Sequence, residues 1–146
     1  MILITGGAGY IGSHTNRLLS NHNLETLVYD NLSTGHRKFV KWGEFVLGDL
    51  SCQSQLELCF KNHKIDSVIH FAASAYVGES VVDPGKYYNN NVSGTINLLN
   101  VMRKFGTKLI VFSSSCATYG IPDALPITEE TAQIPINPYG RSKLMI

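Results

Sequence analysis

The sequence predicts an α/β domain built on a doubly wound parallel sheet. Two observations carry that expectation. Short apolar runs of strand length alternate with longer segments of helical spacing, and a glycine cluster separates the first run from the first helical segment. A chain of 146 residues, 44% of them hydrophobic, has enough apolar surface for one domain with an ordinary core. Its net charge of +1 leaves no basic stripe of the kind nucleic acid requires, so no nucleic-acid partner is expected. The apolar runs are far too short to span a membrane. Met1 leads directly into Ile2-Leu3-Ile4 and the glycines, with neither a basic leader nor a cleavage site, so no secretory signal is expected.

The elements follow in order. Strands are expected over residues 2–5, 25–30, 44–47, 67–71 and 108–113. The first helix carries Ile11, Leu18 and Leu19 at i, i+7 and i+8. A second carries Cys52, Leu56, Cys59 and Phe60 on one side. A third opens at Asp83-Pro84, an N-cap residue followed by proline in the first helical position. Its apolar pattern puts Val92, Thr95, Leu99 and Met102 on the inner face. Leu109-Ile110-Val111-Phe112 is an unbroken apolar run, as in a parallel strand buried on both faces. The sketch is five strands with helices on both sides, without linker or repeat.

Thr5-Gly6-Gly7-Ala8-Gly9-Tyr10-Ile11-Gly12 lies between the first strand and the first helix, with glycines at 6, 9 and 12. Missing side chains allow a tight turn and let the backbone approach a pyrophosphate, which then rests on a helix N-terminus. This is the phosphate loop of a Rossmann-type dinucleotide fold. The second strand ends in Asp30, eighteen residues after Gly12. A carboxylate there can accept hydrogen bonds from both adenosine ribose hydroxyls and repels a 2′-phosphate, which favours NAD over NADP. The spacing TGxxGxxG is similar to that of the extended short-chain dehydrogenase/reductase superfamily.

Tyr139-Gly140-Arg141-Ser142-Lys143 is a YxxxK pair. On a helix, residues four apart share a face, so the lysine ammonium can lie near the phenol. A free phenol titrates near pH ~10, and an adjacent cation favours the phenolate, fitting the tyrosine for acid–base work near neutrality. Ser113-Ser114-Ser115 falls at the carboxyl end of the fifth expected strand, where open α/β sheets bind ligands. A serine there can bond a substrate hydroxyl and hold it in register with the tyrosine. The three cysteines, Cys52, Cys59 and Cys116, form no CxxC pair and read as small buried hydrophobes of a reducing, cytoplasmic protein. The five histidines have no metal-ligand spacing, so no metal is expected, and His70 reads as structural within the fourth strand.

Beyond these motifs, Val28-Tyr29-Asp30-Asn31-Leu32, Gly48-Asp49-Leu50, His70-Phe71-Ala72-Ala73, Val77-Gly78-Glu79-Ser80 and residues 87–94, 112–120 and 138–145 closely resemble the UDP-glucose 4-epimerases. The resemblance runs through essentially the whole chain. It implies that Gly6, Gly9, Tyr10, Ile11 and Gly12 surround the pyrophosphate of NAD. Asp30 and Asn31 would take the adenosine ribose, and Asp49 and Leu50 the adenine. Phe71, Ala72 and Ala73 would line the cofactor cleft, with Asn90 and Ser113 near the cofactor. Ser115 and Tyr139 would serve the 4-hydroxyl of a UDP-sugar, and Lys143 would hold the nicotinamide ribose. The implied reaction is epimerisation at C4. Tyr139 removes the 4-hydroxyl proton as the C4 hydride passes to NAD, the 4-keto sugar turns over, and the hydride returns to its other face.

Cys116-Ala117-Thr118 follows Ser115 where sugar dehydratases of similar sequence carry an Asp-Glu pair, which disfavours 4,6-dehydration. Ala75 stands where bacterial epimerases of this kind carry a lysine, and residues 75–78 and 115–119 look more like plant and cyanobacterial members, UDP-arabinose 4-epimerases among them. UDP-arabinose/UDP-xylose epimerisation therefore stays open, as does a decarboxylase or reductase of the same superfamily. The resemblance further implies that residues 1–146 are an incomplete NAD-binding domain, ending before the last sheet strands and a sugar-nucleotide domain. On that expectation the full-length protein is the enzyme, with a homodimer among its allowed states, and the 146-residue chain alone is an inactive NAD-binding fragment.

Overall fold

The computed structural model describes residues 1–146. Five parallel strands form one sheet: β1 (Ile2–Thr5), β2 (Thr26–Asp30), β3 (Glu44–Leu47), β4 (Ser67–His70) and β5 (Leu109–Phe112). Their order across the sheet is β3-β2-β1-β4-β5, so the winding direction reverses beside β1. Ile4 pairs with Val28 on one side and Ile69 on the other, which brings the carboxyl ends of β1, β2 and β4 level. Each strand begins or ends within a residue or two of its expected position, and the doubly wound α/β class stands.

The chain divides into two compact units. One contains residues 1–72 and 96–113 and carries the sheet; the other contains residues 73–95 and 114–146. Within the first, strand alternation turns Leu3, Leu27, Tyr29 and Val68 to one face. There they pack with Leu56, Cys59 and Phe60 of α2 (Gln53–Asn62) and with Leu98, Val101 and Met102. Fully burying a side chain of this size is worth roughly 1.5–3 kcal/mol, so this cluster dominates the unit's stability. On the opposite face Val28 meets Ala8 and Val40, and α1 (Tyr10–Asn21) contacts β1 and β2.

The second unit is mostly helical: α3 (Val77–Val82), α4 (Pro84–Tyr87), a π-helical stretch (Tyr88–Ser93), a 3-10 turn (Cys116–Thr118) and α6 (Pro138–Met145). Asp83 Oδ1 accepts the Lys86 N–H at 3.1 Å, which gives α4 the cap its sequence predicts. Asn137 caps α6 by accepting the Gly140 N–H at 2.7 Å. No helix is long and apolar enough to cross a membrane.

Four expectations need correction. Ile11 and Leu18 are 59% and 57% exposed; α1 buries instead Gly12, where a β-carbon would strike the Gly6 carbonyl, and Asn16, whose Nδ2 donates to the Trp42 carbonyl at 2.8 Å. On α5 (Gly94–Phe105) the buried side chains are Thr95, Leu98, Val101 and Met102, while Leu99 is exposed and Val92 only half-buried. The face continues N-terminally through Asn91, a polar residue whose bonds compensate its burial. Leu109 and Val111 of β5 are exposed, while Ile110 and Phe112 between and beyond them are half-buried. Finally, only Cys59 is a buried thiol; Cys52 precedes α2 at its N-cap, and Cys116 is exposed on the turn after Ser115.

Candidate functional site

The glycine loop is shaped by its neighbours. Gly6 has φ +72°, a left-handed conformation that glycine adopts without strain. A β-carbon on it would come within 2.6 Å of the Ala72 backbone nitrogen, so the turn closes against the chain leaving β4. A β-carbon on Gly12 would land on the Gly6 carbonyl, which is how α1 comes so close beneath the loop. Gly9 differs: its β-carbon would meet only the Gly6 oxygen, at 3.3 Å. Gly9 is also the N-cap of α1 and supplies no side-chain cap, and the first turn holds no acidic residue. The amide dipoles at this end face an open seat suited to an anion. Tyr10 and Ile11, the first residues of the helix, are exposed beside it.

Asp30 is 8% exposed at the end of β2. Its Oδ2 accepts the Ala8 N–H at 2.9 Å and its Oδ1 accepts the Leu32 N–H at 2.8 Å, so it ties the glycine loop to the loop after β2. Each oxygen keeps a second lone pair for a ligand donor. Asn31 Nδ2 donates to Asp49 Oδ2 at 2.7 Å. Burial pushes the Asp49 carboxyl upward, but the bonds from Asn31 and Ser51 outweigh it and hold the group below its ordinary range. Leu50 is buried in the main core, with its carbonyl accepting from Asn97 Nδ2 at 2.9 Å. Phe71 and Ala72 are half-buried beyond β4, and the Ser113 N–H donates to the His70 carbonyl. His70 itself is buried, with Nδ1 2.6 Å from Thr5 Oγ1 and its ring near Phe112, a structural role as its strand position predicts.

The second unit holds Ala73, Asn90, Ser115, Tyr139 and Lys143. Ser115 Oγ accepts the Ala117 N–H at 3.2 Å and so caps the 3-10 turn. The absent side chain of Gly140 lets α6 settle on the Ala117 carbonyl, which brings the tyrosine helix onto the serine's turn. Tyr139 and Lys143 stand one turn apart on α6, the tyrosine half-buried and the lysine 5% exposed. Burial pushes the Lys143 ammonium down to about 8, because leaving water disfavours the charged form. Asn90 Nδ2 donates to Asn91 Oδ1 at 3.0 Å within the π-helical stretch.

Three residues that sequence patterns do not single out shape this unit. Asn91, 1% exposed, accepts the Ser74 N–H at 2.8 Å, donates to the Ser74 carbonyl and donates to Ser142 Oγ at 2.9 Å. Ser142 Oγ in turn donates to the Tyr139 carbonyl at 2.7 Å. Tyr87, fully buried, sets its ring against Tyr139, with centroids 6.3 Å apart and planes at 80°. The one available signal was the run of three asparagines inside a helical pattern, since polar residues on an inner face need partners.

Comparison with known proteins places this geometry in context. The model of the NAD dependent epimerase/dehydratase family matches residues 2–146. A UDP-glucose 4-epimerase of Rhizobium meliloti is 51% identical over 142 residues, covering 97% of this chain and 43% of its own length. A probable UDP-arabinose 4-epimerase of Oryza sativa is 44% identical over 154 residues, covering 99% of this chain and 38% of its own. Among solved structures, a UDP-glucose 4-epimerase from Brucella ovis in complex with NAD superposes with a TM-score of 0.97 at 58% identity, over 99% of this chain and 44% of that one. The chain therefore spans less than half the length of these relatives.

Proposed function

The chain belongs to the NAD dependent epimerase/dehydratase family, and from that premise we propose that it supplies the cofactor-binding and proton-transfer groups of a UDP-sugar 4-epimerase. The observation that carries the reading is the pair on α6, a buried Lys143 one turn from a half-buried Tyr139. NAD fits the residues present: the open seat at Gly9, the uncapped start of α1 and the Asp30 carboxylate meet a pyrophosphate and a ribose diol. When bound, NAD would supply a reversible acceptor for the hydride at the sugar C4.

The remaining work falls to the protein. Tyr139 takes the proton of the 4-hydroxyl and later returns it. Ser115 holds that oxygen in register, its hydroxyl hydrogen being free to point at the sugar while its lone pair caps the turn. Lys143 binds the nicotinamide ribose and, while protonated, favours the phenolate of Tyr139. Asn31, Asp49 and Leu50 bound the adenosine end, Phe71, Ala72 and Ala73 the middle of the cofactor, and Asn90 and Ser113 its neighbourhood. The reaction has no net oxidation, so no turnover requires the cofactor to leave. The favoured substrate pair is UDP-glucose/UDP-galactose; Ala75 and the likeness to the Oryza protein favour a UDP-pentose as the second reading. The same reading makes the full-length protein a cytoplasmic enzyme and the isolated 146 residues inactive.

The test uses the full-length protein. Denaturing release and mass analysis should yield NAD, and incubation with UDP-glucose or UDP-xylose should yield the 4-epimer. Release of NADP, or no epimerisation of either sugar, overturns the proposal.

A further inference from the structure

Tyr87 plays no part in the chemistry proposed above, yet it is fully buried and makes more polar contacts than its packing requires. Its hydroxyl accepts the Tyr76 N–H at 3.0 Å and lies 2.7 Å from both the Tyr76 carbonyl and Glu79 Oε2. A hydroxyl has one hydrogen, so it can donate to only one of these two oxygens at a time. Glu79 is fixed in turn by Lys86, whose Nζ lies 2.5 Å from Oε1. The ring therefore has little freedom to rotate or withdraw. Its ring meets Tyr139 edge to face, a geometry aromatic quadrupoles favour.

We propose that Tyr87, anchored by Glu79 and Lys86, is a positioning residue that fixes the ring of Tyr139 in its reactive orientation. The inference rests on the reading of Tyr139 as the acid–base group. Tyr139 is gripped at two points. Its backbone carbonyl accepts from Ser142, and its ring meets Tyr87. A helix fixes where a tyrosine starts, but χ1 and χ2 decide where its oxygen ends, and the ring contact constrains those angles. Burial first, and the bond to Glu79 second, push the Tyr87 hydroxyl up to about 12, so it stays protonated at neutral pH and acts through shape rather than proton transfer. A reacting oxygen displaced by about 1 Å can cost on the order of a hundredfold in rate, so loosening the ring should be visible in turnover.

The experiment compares variants of the full-length protein by kcat, KM for the UDP-sugar, bound NAD and melting temperature. Tyr87→Leu removes ring and anchor, and kcat should fall about tenfold with KM and NAD content unchanged. Tyr87→Phe keeps the ring and loses its anchor; kcat should fall only about two- to threefold even though its orphaned partners lower the melting temperature. A kcat that falls while KM and NAD content hold, and that does not track the melting temperature across the two variants, is what a merely structural residue would not show. Should leucine prevent folding, Glu79→Gln decides, with the same two- to threefold loss in kcat supporting the proposal and wild-type kcat overturning it. Wild-type kcat in Tyr87→Leu, or equal losses in the leucine and phenylalanine variants, also overturns it. Tyr139→Phe separates the two ideas: if that variant still epimerises, the reading of Tyr139 fails, whatever Tyr87 does.

Discussion

The carboxylate of Asp30 accepts the backbone N–H of Ala8 across 2.9 Å, so the residue expected to read the ribose also holds the phosphate loop in place. Asp30→Ala should thus be costly before any cofactor arrives. It strands the Ala8 and Leu32 N–H groups, and about 2–4 kcal/mol of stability should go with them. Asp30→Asn keeps an acceptor and should lose less, but it removes the charge that repels a 2′-phosphate. Its preference for NAD over NADP should drop roughly tenfold. Titration calorimetry with both dinucleotides, beside thermal melts, checks each part; an unchanged preference would refute the electrostatic argument.

Gly9 and Gly12 should separate binding from folding. Gly12→Ala forces a β-carbon into the Gly6 carbonyl, backbone on backbone, and should destabilise the chain by roughly 1–3 kcal/mol. Gly9→Ala meets only one atom, at 3.3 Å, and should melt within a few degrees of wild type. Its methyl group would nonetheless fill the seat at the start of α1, so NAD affinity should fall at least about tenfold. A Gly9→Ala protein that binds NAD normally would show that the seat lies elsewhere.

Lys143 makes a prediction about pH. Its ammonium is pushed down to about 8 by burial, below the ordinary lysine value of ~10.4 that the unfolded chain retains. Between those values the unfolded state binds more protons than the folded state, so stability should rise with pH through that window. The penalty present below pH 8 is on the order of 3 kcal/mol at full value. Lys143→Met should show no such rise from pH 8 to 10 and should abolish turnover. Melting curves at several pH values decide this.

Ser115→Ala removes the acceptor for the Ala117 N–H and should lower stability by about 1 kcal/mol, the usual cost of a lost helix cap. Turnover should fall far more than that figure explains. Tyr139→Phe, whose hydroxyl has no structural role in the bonds that hold α6, should keep its melting temperature and lose activity. If both variants lost activity only in proportion to stability, neither residue would be acting on substrate.

Much of this was legible in the sequence because local chemistry and tertiary role agreed. Strands such as Leu27-Val28-Tyr29 are apolar on both sides since both sides are covered, and Gly6 and Gly12 are glycine because backbone atoms occupy the space of a side chain. Pattern failed where a partner far along the chain changes the value of a residue. Asn91 looks like a surface residue until Ser74 and Ser142 satisfy its amide. Leu99 and Ile11 look like core residues until the helices rotate to bury Leu98 and Gly12. The aromatic contact of Tyr87 with Tyr139 joins residues 52 apart in sequence, and no periodicity reports on it.

The closure of the glycine loop has a kinetic consequence. Gly6 N–H bonds to Tyr29, Gly9 N–H to Gly6, Ala8 N–H to Asp30, and His36 N–H to the Ala8 carbonyl, all within the chain itself. The loop is therefore ordered at the moment of folding, not at the moment of encounter. A dinucleotide arriving there should lose little of its binding energy to arranging the loop. The N–H groups of Gly6, Ala8 and Gly9, already bonded within the chain, should show equal amide-exchange protection in the empty and loaded states.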